Sequence, residues 1–394
     1  MTTRPTLTLE TAAHPQVPER PVSGGPLASL RHEWLSQGLI PPAQQLTHWI
    51  SRSWQRCLDM GFLPGQKLGF DLVSKAMVKR AQDESHALVQ AARPILDSLD
   101  LTLQRTRYFA ILTNASGVVV AAHGPIDPQD ARATRITRIG VDLSEKAVGT
   151  TAIGAALIEQ RTIWLHKEEH FFDDTSVYSC AGAALFGPLG GLIGMLDLTG
   201  IDAPERPELR HLVTQSARRI ENRLVLTQPS QLVLHFNWPG QPLLALDDAL
   251  ICLDDDGRIN GFNTYARQVL GLDEHHGSSQ VLHHRRVDDF FAAKTSALFD
   301  AANSAVPTLR LVLKSGLSVD AIAFKRDHYE LMRSRLAGVH PSGLGLSTTH
   351  GLKELETGLI HDAVRQAKGN VAQAAKALGI SRATIYRKLG QGSH

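Results

Sequence analysis

Between Gly369 and Leu389 every charged side chain is basic: Lys376, Arg382, Arg387 and Lys388, interleaved with Ser381, Thr384 and Tyr386. Guanidinium and ammonium groups neutralise phosphate, and hydroxyls bond base edges or backbone oxygens, so the chemistry on offer is the gripping of nucleic acid. The whole chain of 394 residues has a net charge of only +2, so any such affinity must come from this local patch. Two short helices must position it. In "KGNVAQAAKALGISRATIYRKLGQ", Asn370 can cap "VAQAAKAL", Gly379 suits a tight turn, and Ser381 can cap "RATIYRKL". Ala374, Ala375, Leu378, Ile380, Ile385 and Leu389 supply the small and apolar residues that two crossing helices need between them. Such a pair puts Ser381, Arg382, Ala383 and Thr384 nearest base edges, and Tyr386, Arg387 and Lys388 nearer the DNA backbone. The plainer alternative is a helical hairpin with a solvated basic face, which needs glycine, caps, small residues and acid-free charge to coincide by chance.

A second group mixes aromatics with hydrogen-bonding side chains: Trp164, His170, Phe171, Tyr178 and Cys180, with Ser144, Glu145, Thr150 and Thr151 upstream. That composition fits a pocket for a small organic effector, and it equally fits aromatic strand residues filling a core. Glu274, His275, His276, His283 and His284 also cluster, but the doublets lack recognisable ligand spacing, which leaves a metal site against a solvated loop. Cys180 reads as a redox sensor or as a buried, inert thiol. Neither a G-x-S-x-G elbow nor an H-E-x-x-H zinc motif nor a kinase motif set occurs, so no catalytic residues, cofactor or metal are expected, and the chain reads as a non-enzyme.

The elements around these groups form an α+β pattern. Residues 1–28 are rich in Pro, Thr and Gly and read as a disordered tail, followed by a helical segment at 29–64. A helix from about Ser74 to Thr106 opens a sensor-like α+β domain at 65–226. "RYFAILTNASGVVVAAHG" is a hairpin, "DLSEKAVGTTAIGAALIEQ" is helical with Ser144 as N-cap, and "RTIWLH" is a strand. "YSCAGAALFGPLGGLIGMLDLTG" gives two more strands. Leu209, Leu212, Val213, Ser216, Ile220 and Leu224 then mark one stripe of a long helix. A smaller α+β domain is placed at 235–330, its first strand near Ala249, its helix capped by Asn263, and a hairpin around Lys314-Ser315-Gly316. A Gly/Ser/Thr linker at 331–350 leads to the helix pair at 351–394. Cys57, Cys180 and Cys252 are far apart, the N-terminus has no signal-peptide core, and no apolar run approaches a membrane span, so a cytoplasmic, membrane-free protein is expected.

The terminal "GNVAQAAKALGISRATIYRKL" resembles the Fis-type helix-turn-helix that ends bacterial enhancer-binding activators. "ISRSWQRCLDMGFLP", "GTTAIGAAL", "EEHFF" and "LIGMLDLTG" resemble the N-terminal half of AcoR- and DhaR-like regulators, and "LICLDDDGRINGFNTYARQVLG" resembles the PAS domain that follows there. The resemblance covers most of the chain from about 45 to 391 and implies a GAF sensor at 65–226, a PAS domain at 235–330 and an all-α DNA-binding end. It also implies dimerisation through the helix at about 352–367, on an operator with half-sites about one turn apart. One departure is large. The family carries an AAA+ ATPase between PAS and helix-turn-helix, whereas about 25 residues lie between Lys325 and the terminal helices, and no G-x-x-x-x-G-K-[ST] phosphate loop occurs. The resemblance therefore implies a homodimeric, ligand-responsive regulator that acts on a double-stranded operator without ATP hydrolysis, through RNA polymerase or an ATPase-bearing relative. An interaction protein that modulates a sigma-54 activator is the alternative, and an enzyme acting on the sensed molecule is the remote one.

Overall fold

The computed structural model describes residues 47–70, 73–271, 285–304 and 308–329, together with Arg31, Trp34, Leu35, Gln37, Val371 and Arg382. The chain divides into two compact units, 1–329 and 330–394. The tail, the His275/His276 and His283/His284 doublets, the linker and most of the helix pair lie outside the described residues.

Helices α1 (His48–Asp59), α2 (Lys75–Glu84) and α3 (His86–Leu103) precede the first sheet. The expected single helix from Ser74 to Thr106 is two. Ser74 caps α2 by accepting from Met77 N, and Ser85 leaves helical geometry (φ −107°, ψ 10°) and separates the pair. Strands β1 (Tyr108–Asn114) and β2 (Val119–His123) form the expected hairpin. Helices α4 (Ala131–Thr137), α5 (Glu145–Val148) and α6 (Ala152–Glu159) follow, then β3 (Ile163–His166), β4 (Tyr178–Phe186), β5 (Leu192–Ile201) and α7 (Leu209–Val225). The five strands run antiparallel in the order β2-β1-β5-β4-β3.

Strand alternation divides the interior into two layers. Ala110, Leu112, Trp164, Ala181, Ala183, Leu196 and Leu198 face α3 and α7, where Leu96, Leu99, Val213, Ala217, Ile220 and Leu224 are buried against them. Phe109, Ile111, Leu165, Cys180 and Met195 face the other way, toward α5, α6 and the buried Trp49, Ile50, Trp54 and Cys57 of α1. Each Val, Leu, Ile, Phe or Met so enclosed contributes roughly 1.5–3 kcal/mol, which is why the alternating strands and the α7 stripe were readable.

The segment expected to be one helix with a Ser144 cap is broken. Gly149, at φ +63°, ends α5, and the Ser144 side chain makes no capping bond, whereas the Thr151 hydroxyl caps α6 by accepting from Gly154 N.

A second antiparallel sheet has the order β8-β7-β6-β10-β9, from β6 (Leu232–Asn237), β7 (Ala249–Leu253), β8 (Ile259–Phe262), β9 (Thr308–Val312) and β10 (Ser318–Lys325). Helices α8 (Thr264–Val269) and α9 (Thr295–Ala302) cover it, with the Asn263 side chain accepting from Ala266 N at the start of α8. The sheet begins at Leu232 rather than near Ala249 or 235. Its central strand β6 is buried along its whole length and so shows no alternation.

Candidate functional site

Between β4–β5 and the α5–α6 cover lies a small cavity. Its walls are largely apolar, with Phe70, Ile111, Ile136, Leu143, Val148 and Ile153 among them. Its polar groups are few and convergent: Thr151, His170, Thr175, Tyr178, Cys180, Asp197 and Thr199. Asp197 is completely buried on β5, and its Oδ1 has no hydrogen-bond partner among the described residues. Thr199 Oγ1 donates to Asp197 Oδ2. The Cys180 thiol lies 3.6 Å from Thr199 Oγ1 and 3.9 Å from His170 Nε2, so its one hydrogen can serve only one of them.

The protonation pattern follows from the partners. His170 Nδ1 is 2.8 Å from the Lys167 carbonyl, which only accepts, so Nδ1 carries the proton and Nε2 is left as an acceptor. Burial lowers the His170 pKa to about 3, which keeps the ring neutral. Burial raises Asp197 to about 7, against the opposing hydrogen bond from Thr199. Burial, then the neighbouring Asp197, pushes the Cys180 thiol up, so it stays protonated and inert as a nucleophile. The neutral site thus presents one unused donor, the Asp197 hydroxyl, and one acceptor, His170 Nε2, inside an apolar wall.

Of the residues proposed from sequence, Thr151, His170, Tyr178 and Cys180 line this cavity and Ser144, Glu145, Thr150, Trp164 and Phe171 do not. Trp164 pairs across the strands with Ala181, while Leu165 pairs with Cys180, so Trp164 points to the opposite face of the sheet. There its Nε1 donates to Glu205 Oε1 at 3.3 Å. Glu145 and Thr150 serve instead to dock α1. Arg56 Nε and Nη2 donate to the Glu145 carboxylate at 2.5 and 2.9 Å, and the Ser53 hydroxyl lies 2.5 Å from Glu145 Oε2 and 2.7 Å from Thr150 Oγ1. Phe171 packs edge-on against Phe172, their ring centroids 5.1 Å apart, in the core. Ser144 is tied through its backbone N to Asp142. The residues that sequence reasoning missed are Asp197 and Thr199. The available signal was an acid at an inward position of the apolar strand "LIGMLDLTG". Among the described residues no group of His, Cys, Asp and Glu is placed to hold a metal ion.

At the DNA-reading end, Arg382 is helical and exposed. Ser381, Ala383, Thr384, Tyr386, Arg387 and Lys388 lie outside the described residues.

Comparison with known families decides the class. Residues 27–222 match the model of the MimR N-terminal domain, and residues 351–392 match that of the bacterial regulatory protein Fis family. The chain thus carries a MimR-type N-terminal domain and a Fis-type helix-turn-helix, and its relatives are AcoR/DhaR-type regulators. It is 28% identical over 243 residues to the acetoin catabolism regulatory protein of Cupriavidus necator, covering 59% of this chain and 36% of that protein. It is 25% identical over 192 residues to the acetoin dehydrogenase operon transcriptional activator AcoR of Bacillus subtilis, covering 48% and 31%. Among solved structures it is similar to the E. coli DhaR(N)–DhaL complex, with a TM-score of 0.42, 15% identity and coverage of 70% of this chain and 99% of that one. The matched stretches span about a third of the length of these curated relatives. No helix among the chain's described residues is long and apolar enough to cross a membrane.

Proposed function

We propose that this protein is a cytoplasmic, homodimeric, DNA-binding regulator that senses a small uncharged organic molecule in the Asp197 cavity, a GAF-type site, and acts without ATP hydrolysis. The observation that carries the reading is the fully buried Asp197 carboxyl, whose Oδ1 meets no partner inside an apolar cavity of a regulator. An orphaned buried polar group costs about 1–3 kcal/mol, and a ligand that satisfies it recovers that energy. The complement is a short alkyl compound whose carbonyl accepts from protonated Asp197 and whose adjacent donor bonds His170 Nε2. Acetoin, the compound in the names of both relatives, has a carbonyl next to a hydroxyl and is the first probe. Titration calorimetry should register acetoin binding to the wild-type chain and none to Asp197→Leu; equal heats in both would remove the cavity from the argument.

On the DNA side, Arg382→Ala should weaken binding to a selected operator by about 1–3 kcal/mol and relax its sequence preference. Lys388→Ala should lower affinity for all sequences alike and flatten the salt dependence. Unchanged isotherms for both variants would refute the DNA-reading assignment. The absence of a phosphate-loop motif from the sequence, together with matches that cover only about a third of each relative, also supports the second reading, in which the protein modulates an ATPase-bearing activator through shared DNA or mixed dimers.

A further inference from the structure

The cavity and the chain that leads to the DNA-binding segment are joined by a short series of contacts. β4 and β5 present Cys180, Asp197 and Thr199 to the cavity on one face, and Ala181, Ala183, Leu196 and Leu198 to α7 on the other. Such close packing leaves little slack for a strand to move under its helix. The helix is also tied to the end of β4, because the buried Glu221 carboxylate of α7 accepts from Phe186 N at 2.9 Å.

The last turn of α7 is then held by the second sheet. Asn222 Oδ1 accepts from Asn263 Nδ2 at 2.8 Å, and Val225 O accepts from Cys252 Sγ at 3.5 Å. The carbonyl just past the helix, Leu226 O, accepts from Arg326 Nη2, one of the groups that satisfy the helix's C-terminal carbonyls. Arg326 is also the residue that follows β10. Its backbone N donates to Gln231 O at 3.0 Å, and Nη1 reaches Ser230 Oγ at 3.4 Å. Residues 326–329 are helical, and Tyr329 closes the junction. Its hydroxyl lies 3.2 Å from His235 Nε2, whose Nδ1 is 2.9 Å from the buried Asp248. One guanidinium therefore touches the output end of α7 at the point where the chain leaves the second sheet toward residues 330–394.

We propose that Arg326 is the positioning residue that passes a change in the Asp197 cavity, through the end of α7, to the segment entering the DNA-binding unit. The inference rests on the cavity being the regulatory site. It differs from a model in which α7 itself runs on into the DNA-binding helices, because α7 stops at Val225 and its end is clasped by three side chains from the second sheet and its exit.

The test is a double-mutant cycle that needs no effector. A DNA sequence is first selected from a random library with the full-length wild-type chain. Its affinity is then measured for wild type, Asp197→Asn, Arg326→Gln and the double variant. Asp197→Asn should change operator affinity by at least about fivefold, the low end of ordinary allosteric coupling. In the Arg326→Gln background the same change should fall to a ratio of about one, whatever the absolute affinity. Arg326→Lys, which keeps a donor, should restore the ratio. Tyr329→Phe, a milder cut at the same junction, should lower it. An unchanged ratio in Arg326→Gln, or an Asp197→Asn variant that binds like wild type, would overturn the proposal. Failure to select any sequence would overturn the DNA-binding reading along with it. Absence of acetoin heats would count against the effector alone and leave this cycle decisive.

Discussion

Replacing Asp197 by Asn should make the protein's stability less sensitive to alkaline pH, by an amount the structure sets. In the unfolded chain the Asp197 carboxyl titrates near its ordinary value of 3.8, and in the fold burial raises it to about 7. Between those two values the folded state holds a proton that the unfolded state has released, so stability falls as pH rises. The contribution is fully present below the unfolded value and is lost as the pH climbs through the folded one. From pH 5 to pH 7 the loss is two pH units at about 1.4 kcal/mol each, or about 3 kcal/mol, with little further change by pH 8. Asn has no proton to lose, and its amide can still donate from the same position. Glu221, buried and raised to about 7, adds a similar slope of its own, but it is present in both proteins and cancels in the difference. Urea denaturation of wild type and Asp197→Asn at pH 5, 6, 7 and 8 gives that difference directly. Asp197→Asn should gain about 3 kcal/mol on wild type across the series. A difference that is flat with pH would mean that Asp197 titrates normally and that the cavity is wetter or more mobile than its burial implies.

Two further perturbations test the cover of the cavity. Gly149→Ala should destabilise the fold by about 2–4 kcal/mol, since only glycine is at ease at its backbone angles and an added Cβ would lie 2.7 Å from the Phe172 ring; thermal unfolding reads the loss. Arg56→Ala should cost about 2–3 kcal/mol by leaving the Glu145 carboxylate buried without its cation, and Glu145→Gln in the same chain should recover part of it; a pair that adds independently would show that the contact carries nothing.

The legible parts of the fold were those whose pattern has a single physical cause. Alternation in "RYFAILTN" and the Leu209–Leu224 stripe each follow from one buried face. β6 was missed as the start of the second sheet because a strand buried on both faces loses its period, and "LVLHFN" could serve several elements. Ser144 and Thr151 are both reasonable caps by type; only Gly149, which ends the first helix in a conformation open to glycine, made Thr151 the one that caps.

The site was half legible for a similar reason. His170, Tyr178 and Cys180 were found because aromatic and hydrogen-bonding residues stand out in a short stretch. Trp164 stood out equally, yet one step along β3 turns it to the other layer. Asp197 was overlooked because charge in an apolar strand reads as an edge or a turn until the neighbouring strands show that it is central. β5 lies between β1 and β4, so its acid has no route to solvent.

That placement also bears on the proposed sensing. A ligand shifts an equilibrium only by the difference in its affinity for the two states. A ligand carbonyl that accepts from the protonated Asp197 carboxyl would recover the roughly 1–3 kcal/mol of the unmet Oδ1 hydrogen bond in the one arrangement where the cavity is closed around it. About 3 kcal/mol is a factor of roughly one hundred in a two-state ratio, enough to reverse the balance between two DNA-binding geometries that start within tenfold of each other. A deficit of this size at Asp197 fits the proposed regulation. A chain in which Asp197→Asn relieves the deficit permanently should lose most of its response to effector while remaining able to bind DNA, with its operator affinity fixed near that of the liganded protein.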